Sequence, residues 1–163
     1  MKILCVGRNY SDHAREMQAA VPSEPVIFLK PDTALLRPGM PFFLPSFSSD
    51  IHYETELVLR ISKNGKNIDE SFAPRYYDAV TVGIDFTARD MQARFKTQGL
   101  PWELSKAFDA SAPVGSFVPL AELPAKDAIG FSLLLNGRKV QEGQSDQMLF
   151  SFGRIVSFVS GFF

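Results

Sequence analysis

Proline and glycine, eleven of each, punctuate this chain along its whole length. Proline lacks an amide donor and glycine loses the most backbone freedom on folding, so both end regular elements. The chain must be built from short pieces, which favours a strand-rich fold. Two Asn-Gly pairs sharpen that expectation, because adjacent residues that accept positive φ suit tight hairpin turns. Asn64-Gly65 follows the alternating run Glu54–Ile61, and Asn136-Gly137 separates Ile129–Leu135 from Arg138–Gln141. Two hairpins are predicted from turn chemistry alone.

Other segments fit the same picture. Lys2–Val6 reads as a strand, Pro25–Leu29 as a short apolar run, and Ser11–Ala20 as a short helix capped by Ser11 or Asp12. Ala79–Asp85 is rich in β-branched residues and is expected to leave Asp85 at an exposed strand end. Thr87 and Asp90 have the spacing of a capping box, and Met91, Phe95 and Gly99 fit a helix of about three turns stopped by Gly99 and Pro101. Met148–Phe163 has a helical apolar period. Its apolar Phe162-Phe163 end is unusual, since terminal segments are usually exposed and polar. The clustered phenylalanines, among them Phe42, Phe43, Phe47, Phe150, Phe152 and Phe158, are expected mostly in the core.

A length of 163 residues suffices for one domain with one real core. A net charge of −1 supplies no long-range field for nucleic acid or an acidic membrane, so function must rest on a local constellation. The apolar opening Met1–Gly7 is too short for a signal core or a membrane span, and a cytoplasmic protein is expected. Cys5 is the only cysteine, which excludes an intrachain disulfide and a multi-cysteine zinc site; its neighbours Ile3, Leu4 and Val6 suggest a buried strand position.

Glu54 and Glu56 are two apart on a predicted strand, so their side chains leave one face about 7 Å apart. Like charges there repel unless a cation sits between them. With Asp85 they would give three hard oxygen ligands, the pattern of Mg²⁺ or Mn²⁺ and not of zinc. The same spacing fits an ordinary solvated strand face. His13 and Glu16 fall at i and i+3 on the predicted helix, where the carboxylate would orient the imidazole for taking a proton from water; a surface ion pair has the same spacing. Lys106 lies beside Ala107 and Phe108, where a partly desolvated ammonium could bind a carboxylate or an enolate. A surface lysine laid along apolar neighbours would look alike, and Lys30 shares both readings. His52 precedes the acidic pair but three hard oxygens need no imidazole.

The order of these segments resembles the fumarylacetoacetate hydrolase family, in its small acylpyruvase and oxaloacetate decarboxylase branch. The residues that carry the resemblance are Cys5-Val6-Gly7-Arg8-Asn9-Tyr10 with His13 and Glu16, Phe28-Leu29-Lys30-Pro31, and His52-Tyr53-Glu54-Thr55-Glu56-Leu57. They continue in Asp85-Phe86-Thr87-Ala88-Arg89-Asp90, Gly99-Leu100-Pro101-Trp102 and Lys106-Ala107-Phe108-Asp109. Each piece alone is weak, whereas the ordered set is specific.

The resemblance implies an α+β, mainly β fold, a mixed β-roll with short flanking helices, in one domain over residues 1–163, and a homodimer. It implies Mg²⁺ or Mn²⁺ on Glu54, Glu56 and Asp85, a water-activating His13–Glu16 dyad, and Lys106 on the substrate carboxylate or oxyanion. Arg8, Lys30 and Gln92 follow as pocket residues. The implied activity is carbon–carbon cleavage of a short 2-oxo acid through a pyruvate enolate, as acylpyruvate hydrolysis or oxaloacetate decarboxylation. The alternatives are a 2-hydroxy-dienoate diacid isomerase or hydratase on the same fold, or an inactive metal-binding remnant. The remnant reading arises because the family's closing strands and their Gly-Thr-Pro turn are expected after Phe163.

Overall fold

A computed structural model describes residues 1–10, 22–125 and 128–163. Strand residues outnumber helical ones, so the protein is α+β and mainly β, as the punctuation predicts. The expected helix Ser11–Ala20, and with it His13 and Glu16, lies outside the described residues. The strands are β1 (Ile3–Val6), β2 (Ile27–Lys30), β3 (Leu35–Leu36), β4 (Ile51–Ile61), β5 (Tyr77–Ala88), β6 (Ala112–Pro113), β7 (Val118–Pro119), β8 (Gly130–Leu135) and β9 (Arg138–Gln144). The helices are α1 (Arg89–Gln98), α2 (Glu103–Lys106) and α3 (Phe152–Ser160). β1 pairs with β2, β3 with β6 in parallel, and β8 with β9 antiparallel, while β4, β5 and β7 form a sheet in that order. Among the described residues no helix is long and apolar enough to cross a membrane.

The chain falls into two compact units. The first comprises Met1–Cys5, Phe28–Glu56 and Val82–Ser116, and so takes the first half of β4 and the second half of β5. In β5 the residues Asp85, Thr87 and Ala88 are all buried, which marks a strand covered on both faces. Gly99 ends α1 in the left-handed conformation (φ 65°), the cap expected of it. Phe28 and Phe95 are buried nearby, Phe28 meeting Trp102 edge to face at 6.2 Å.

The second unit comprises Val6–Ile27, Leu57–Thr81 and Phe117–Phe163. Its β8–β9 hairpin turns on Asn136 and Gly137 at φ 52° and 79°, the paired positive values a two-residue turn requires. The Asn9 side chain brackets the Phe150 backbone, donating to its carbonyl at 3.0 Å and accepting from its amide at 2.8 Å. Ser151 caps α3 by accepting from the Arg154 amide, which starts this helix at Phe152 and not at Met148.

Four local expectations are corrected. Asn64-Gly65 forms no tight hairpin, because β4 ends at Ile61 and β5 starts only at Tyr77. The intervening backbone is drawn to α3: the Asn67 amide donates to the Ser160 carbonyl (3.0 Å) and the Ile68 amide to Ser160 Oγ (2.8 Å). Asp85 is not at an exposed strand end, since β5 runs on to Ala88 and leaves Asp85 8% exposed. The capping box does not form; Ala88 is the cap residue, and the Thr87 hydroxyl donates instead to the Asp85 carbonyl at 3.2 Å. The clustered phenylalanines are not mostly core: Phe43, Phe47, Phe162 and Phe163 are exposed, while Phe42 is only partly buried and stacks on Phe86 at 3.9 Å.

Candidate functional site

The first unit gathers the charged residues that the sequence singled out. Period-two geometry puts Glu54 and Glu56 on one face of β4, and β5 carries Asp85 and Thr87 on one face by the same rule. Lys106 ends the short helix α2, which starts just after Pro101. Its ammonium donates to Glu54 Oε2 at 2.6 Å, to Asp85 Oδ2 at 2.6 Å and to Thr87 Oγ1 at 2.7 Å. Three partners use the three donors of an ammonium. Lys106 is therefore a buried, fully bonded cation, 3% exposed, and not a surface lysine.

Lys30 is buried to the same degree. Its ammonium donates to the Lys106 carbonyl and to Ser111 Oγ (2.8 Å), and lies 2.9 Å from Asp85 Oδ1. That last contact is an ion pair without a well-directed hydrogen bond, so Asp85 Oδ1 is a buried oxygen left without a donor. Ser111 Oγ donates in turn to the Lys106 carbonyl at 3.0 Å. Arg89, the first residue of α1, donates to Glu54 Oε1 and to Gln92 Oε1, the latter at 2.6 Å, and Gln92 is itself buried.

The electrostatics follow from this pairing. Burial pushes the Glu54 carboxyl up, but Lys106 and Arg89 outweigh it and hold the group at about 2. Glu56, two residues along, has no hydrogen-bond or ion-pair partner among the described residues. Burial, with Glu54 and Asp85 adding like-charge repulsion, pushes it up to about 8. Burial lowers Lys30 against the pull of Asp85, whereas for Lys106 burial is overcome by Asp85 and Glu54, which raise it. Burial also pushes the Cys5 thiol up to about 12, which leaves it inert as a nucleophile at neutral pH.

The structure thus brings Glu54, Glu56, Asp85, Lys106, Lys30 and Gln92 into one unit. Arg8 belongs to the second unit, where it is partly buried just after β1. Among the described residues no three acidic, histidine or cysteine side chains stand close enough together to hold a metal ion as arranged. The Lys106 ammonium takes the position between Glu54 and Asp85. A pocket of about 720 Å³ in the same unit is lined by Lys30 with Leu29, Phe47, Met91, Leu104 and Phe108, and none of the three carboxylates reaches it. Three contributors were missed in the sequence: Thr87, Arg89 and Ser111. Thr87 shares the strand parity of Asp85, which was the available signal; Arg89, on α1, and Ser111 had no such signal.

The comparisons with known proteins decide the family. The profile of the fumarylacetoacetate (FAA) hydrolase C-terminal family matches residues 2–163. The chain belongs to the fumarylacetoacetate hydrolase family. It is an enzyme of that family, as the ordered motifs predict. It is 45% identical over 158 residues to the mitochondrial oxaloacetate tautomerase FAHD1 of Bos taurus, covering 97% of this chain and 72% of that protein. It is 38% identical to the mitochondrial oxaloacetate decarboxylase of Dictyostelium discoideum, covering 98% and 73%. A fumarylpyruvate hydrolase from Pseudomonas aeruginosa, solved with Mn²⁺ and pyruvate, superposes with a TM-score of 0.93 at 38% identity, covering all of this chain and 72% of that one. The first two relatives are named as mitochondrial, not as proteins of the cytoplasm expected here.

Proposed function

We propose that this protein is a divalent-metal-dependent enzyme acting on short 2-oxo acids, with a pyruvate-type enolate as the shared intermediate. Oxaloacetate decarboxylation and acylpyruvate hydrolysis are the reactions it fits best. The observation that carries this is the gathering of Glu54, Glu56 and Asp85 in one unit, with Glu54 and Asp85 paired to buried cations. Among the described residues Glu56 has no ion-pair partner and Asp85 Oδ1 accepts no hydrogen bond, which leaves carboxylate oxygens that a further cation could take. Three hard oxygen donors of this kind suit Mg²⁺ or Mn²⁺, and the fumarylpyruvate hydrolase above was solved with Mn²⁺. When bound, such an ion supplies Lewis-acid stabilisation of developing negative charge on a 2-oxo group.

The residues of the chain do the rest. Arg89 holds Glu54 in place and is itself held by Gln92. Lys106 offers a cation to the substrate carboxylate or the oxyanion, with Lys30 fixing its backbone. His13 and Glu16 take a proton from the water that an acyl leaving group requires, and loss of CO₂ needs no such water. Arg8, Lys30 and Gln92 are candidate substrate-binding residues on the family resemblance. The reading takes the chain as a single domain that works as a homodimer, with no nucleic acid or membrane partner. Keto–enol tautomerisation of oxaloacetate, the activity named for the Bos taurus relative, passes through the same enolate and is a second reading of the same site.

The test is oxaloacetate consumption and pyruvate release with Mn²⁺ or Mg²⁺, in the unaltered protein and in Glu54→Ala and Asp85→Ala. The expected result is metal-dependent turnover lost in both variants together with metal affinity by calorimetry. Turnover that survives in either variant, or that ignores chelation, refutes the assignment.

A further inference from the structure

Lys106 has a second role that its contacts define. Its three hydrogen bonds are at 2.6, 2.6 and 2.7 Å, and two of the acceptors, Glu54 Oε2 and Asp85 Oδ2, belong to the carboxylates of the proposed metal set. The point between Glu54 Oε2 and Asp85 Oδ2 that the ammonium fills cannot also hold an ion bridging those two oxygens. We propose that the Lys106 ammonium is an internal counter-ion that competes with the divalent metal for Glu54 and Asp85. This rests on the metal reading above.

The surrounding residues make the competition reversible. α2 is a single turn, and Lys106 is its last residue. The Lys106 backbone is tied down by Lys30 and by Ser111 Oγ, which both donate to its carbonyl. The main chain is therefore fixed, and only the four-carbon stem would have to turn for the ammonium to leave its partners. Displacement of the ammonium by a metal releases it without moving the fold, and it stays within a side chain's length of whatever anion the metal holds. Metal loading and the presentation of Lys106 to substrate are then one event. Thr87 acts as a positioning residue, since its hydroxyl accepts from the ammonium that bonds the two carboxylates and donates to the Asp85 carbonyl.

The experiment is Mn²⁺ binding by calorimetry and electron paramagnetic resonance to the unaltered protein, Lys106→Met and Thr87→Val. Competition predicts that Lys106→Met binds Mn²⁺ at least tenfold more tightly. Thr87→Val, which keeps the charge but removes the anchor, should bind it severalfold more tightly. Simple repulsion between the ammonium and the ion would tighten Lys106→Met alone, and an unchanged affinity in Thr87→Val overturns competition. Should Lys106→Met fail to fold without metal, Thr87→Val still decides the matter. If the unaltered protein binds Mn²⁺ and neither variant binds it more tightly, the competition falls and the metal reading stands. If none of the three binds Mn²⁺ at millimolar concentration, both fall.

Discussion

Glu54 and Glu56 leave the same face of β4 two residues apart, yet removing their charges should change stability in opposite directions. Glu54 is paired with Lys106 and Arg89 and is held at about 2, against an ordinary value of 4.5. A folded-state value below the unfolded one stabilises above the unfolded value and loses that contribution as pH falls towards 2. At neutral pH the difference corresponds to about 3 kcal/mol. Glu56, without an ion-pair partner among the described residues and pushed up to about 8, is the reverse case. Its ionisation costs nothing below pH 4.5 and progressively more as pH rises towards 8, reaching about 3 kcal/mol near pH 7.

In the presence of a chelator, Glu54→Gln should therefore lose about 3 kcal/mol at pH 7, and Glu56→Gln should gain up to about 3 kcal/mol. Both effects should fade as pH falls: Glu56→Gln becomes neutral near pH 4.5, and Glu54→Gln approaches neutrality only towards pH 2. Against a typical total of about 5–15 kcal/mol, the separation between the variants is large enough for urea unfolding to resolve. Saturating Mn²⁺ at a hundredfold excess over its dissociation constant should add about 2.7 kcal/mol to the unaltered protein and much less to either variant. Shifts of the same sign for the two variants at pH 7 would refute the division into a paired and an unpaired carboxylate.

Ser111→Ala should lower stability by about 1–3 kcal/mol, because Lys30 loses its side-chain acceptor in a buried position; a thermal melt unchanged from the unaltered protein contradicts that. Ser160→Ala should cost a similar amount by stranding the Ile68 amide, and hydrogen exchange at Ile68 should quicken. His13→Ala should damage acylpyruvate hydrolysis far more than oxaloacetate decarboxylation, measured as pyruvate release from each substrate, since only the former needs an activated water. Equal losses would end that division of labour.

How far the sequence could be read depended on the range of the interaction. Glu54 and Glu56 were legible because strand parity is local, and the Asn136-Gly137 turn because both residues accept positive φ. The Asn64-Gly65 pair misled, since the backbone after it is satisfied by Ser160, 92 residues beyond Ile68, and no local signal encodes that bond. Asp85 was found but its burial was not, because burial depends on Lys30 and Lys106 arriving from elsewhere in the chain. The same holds for Ser111, whose part includes accepting from Lys30, 81 positions away. Chemical residue types were readable from one segment at a time, whereas their compensation was readable only across segments.

That compensation bears on the choice of substrate. The cluster sets Glu54, Glu56 and Asp85 against Lys30, Arg89 and Lys106, so its formal charges cancel when all are ionised. With Glu56 pushed up to about 8 and mostly protonated near pH 7, the cluster without an ion carries about one positive charge and has only a weak pull on a dianion. On the proposed reading, a divalent ion raises the sum to about two positive charges, the complement of a dicarboxylate such as oxaloacetate. The protein would then attract its substrate more strongly once loaded. A 2-oxo acid with a single carboxylate reaches the same balance only at the enolate, where the second negative charge develops. That difference predicts tight ground-state binding for oxaloacetate and stabilisation reserved for the transition state with monocarboxylates, a contrast visible as a lower KM for the former at similar kcat. A monocarboxylic 2-oxo acid that matches oxaloacetate in KM would show that the charge balance does not select the substrate.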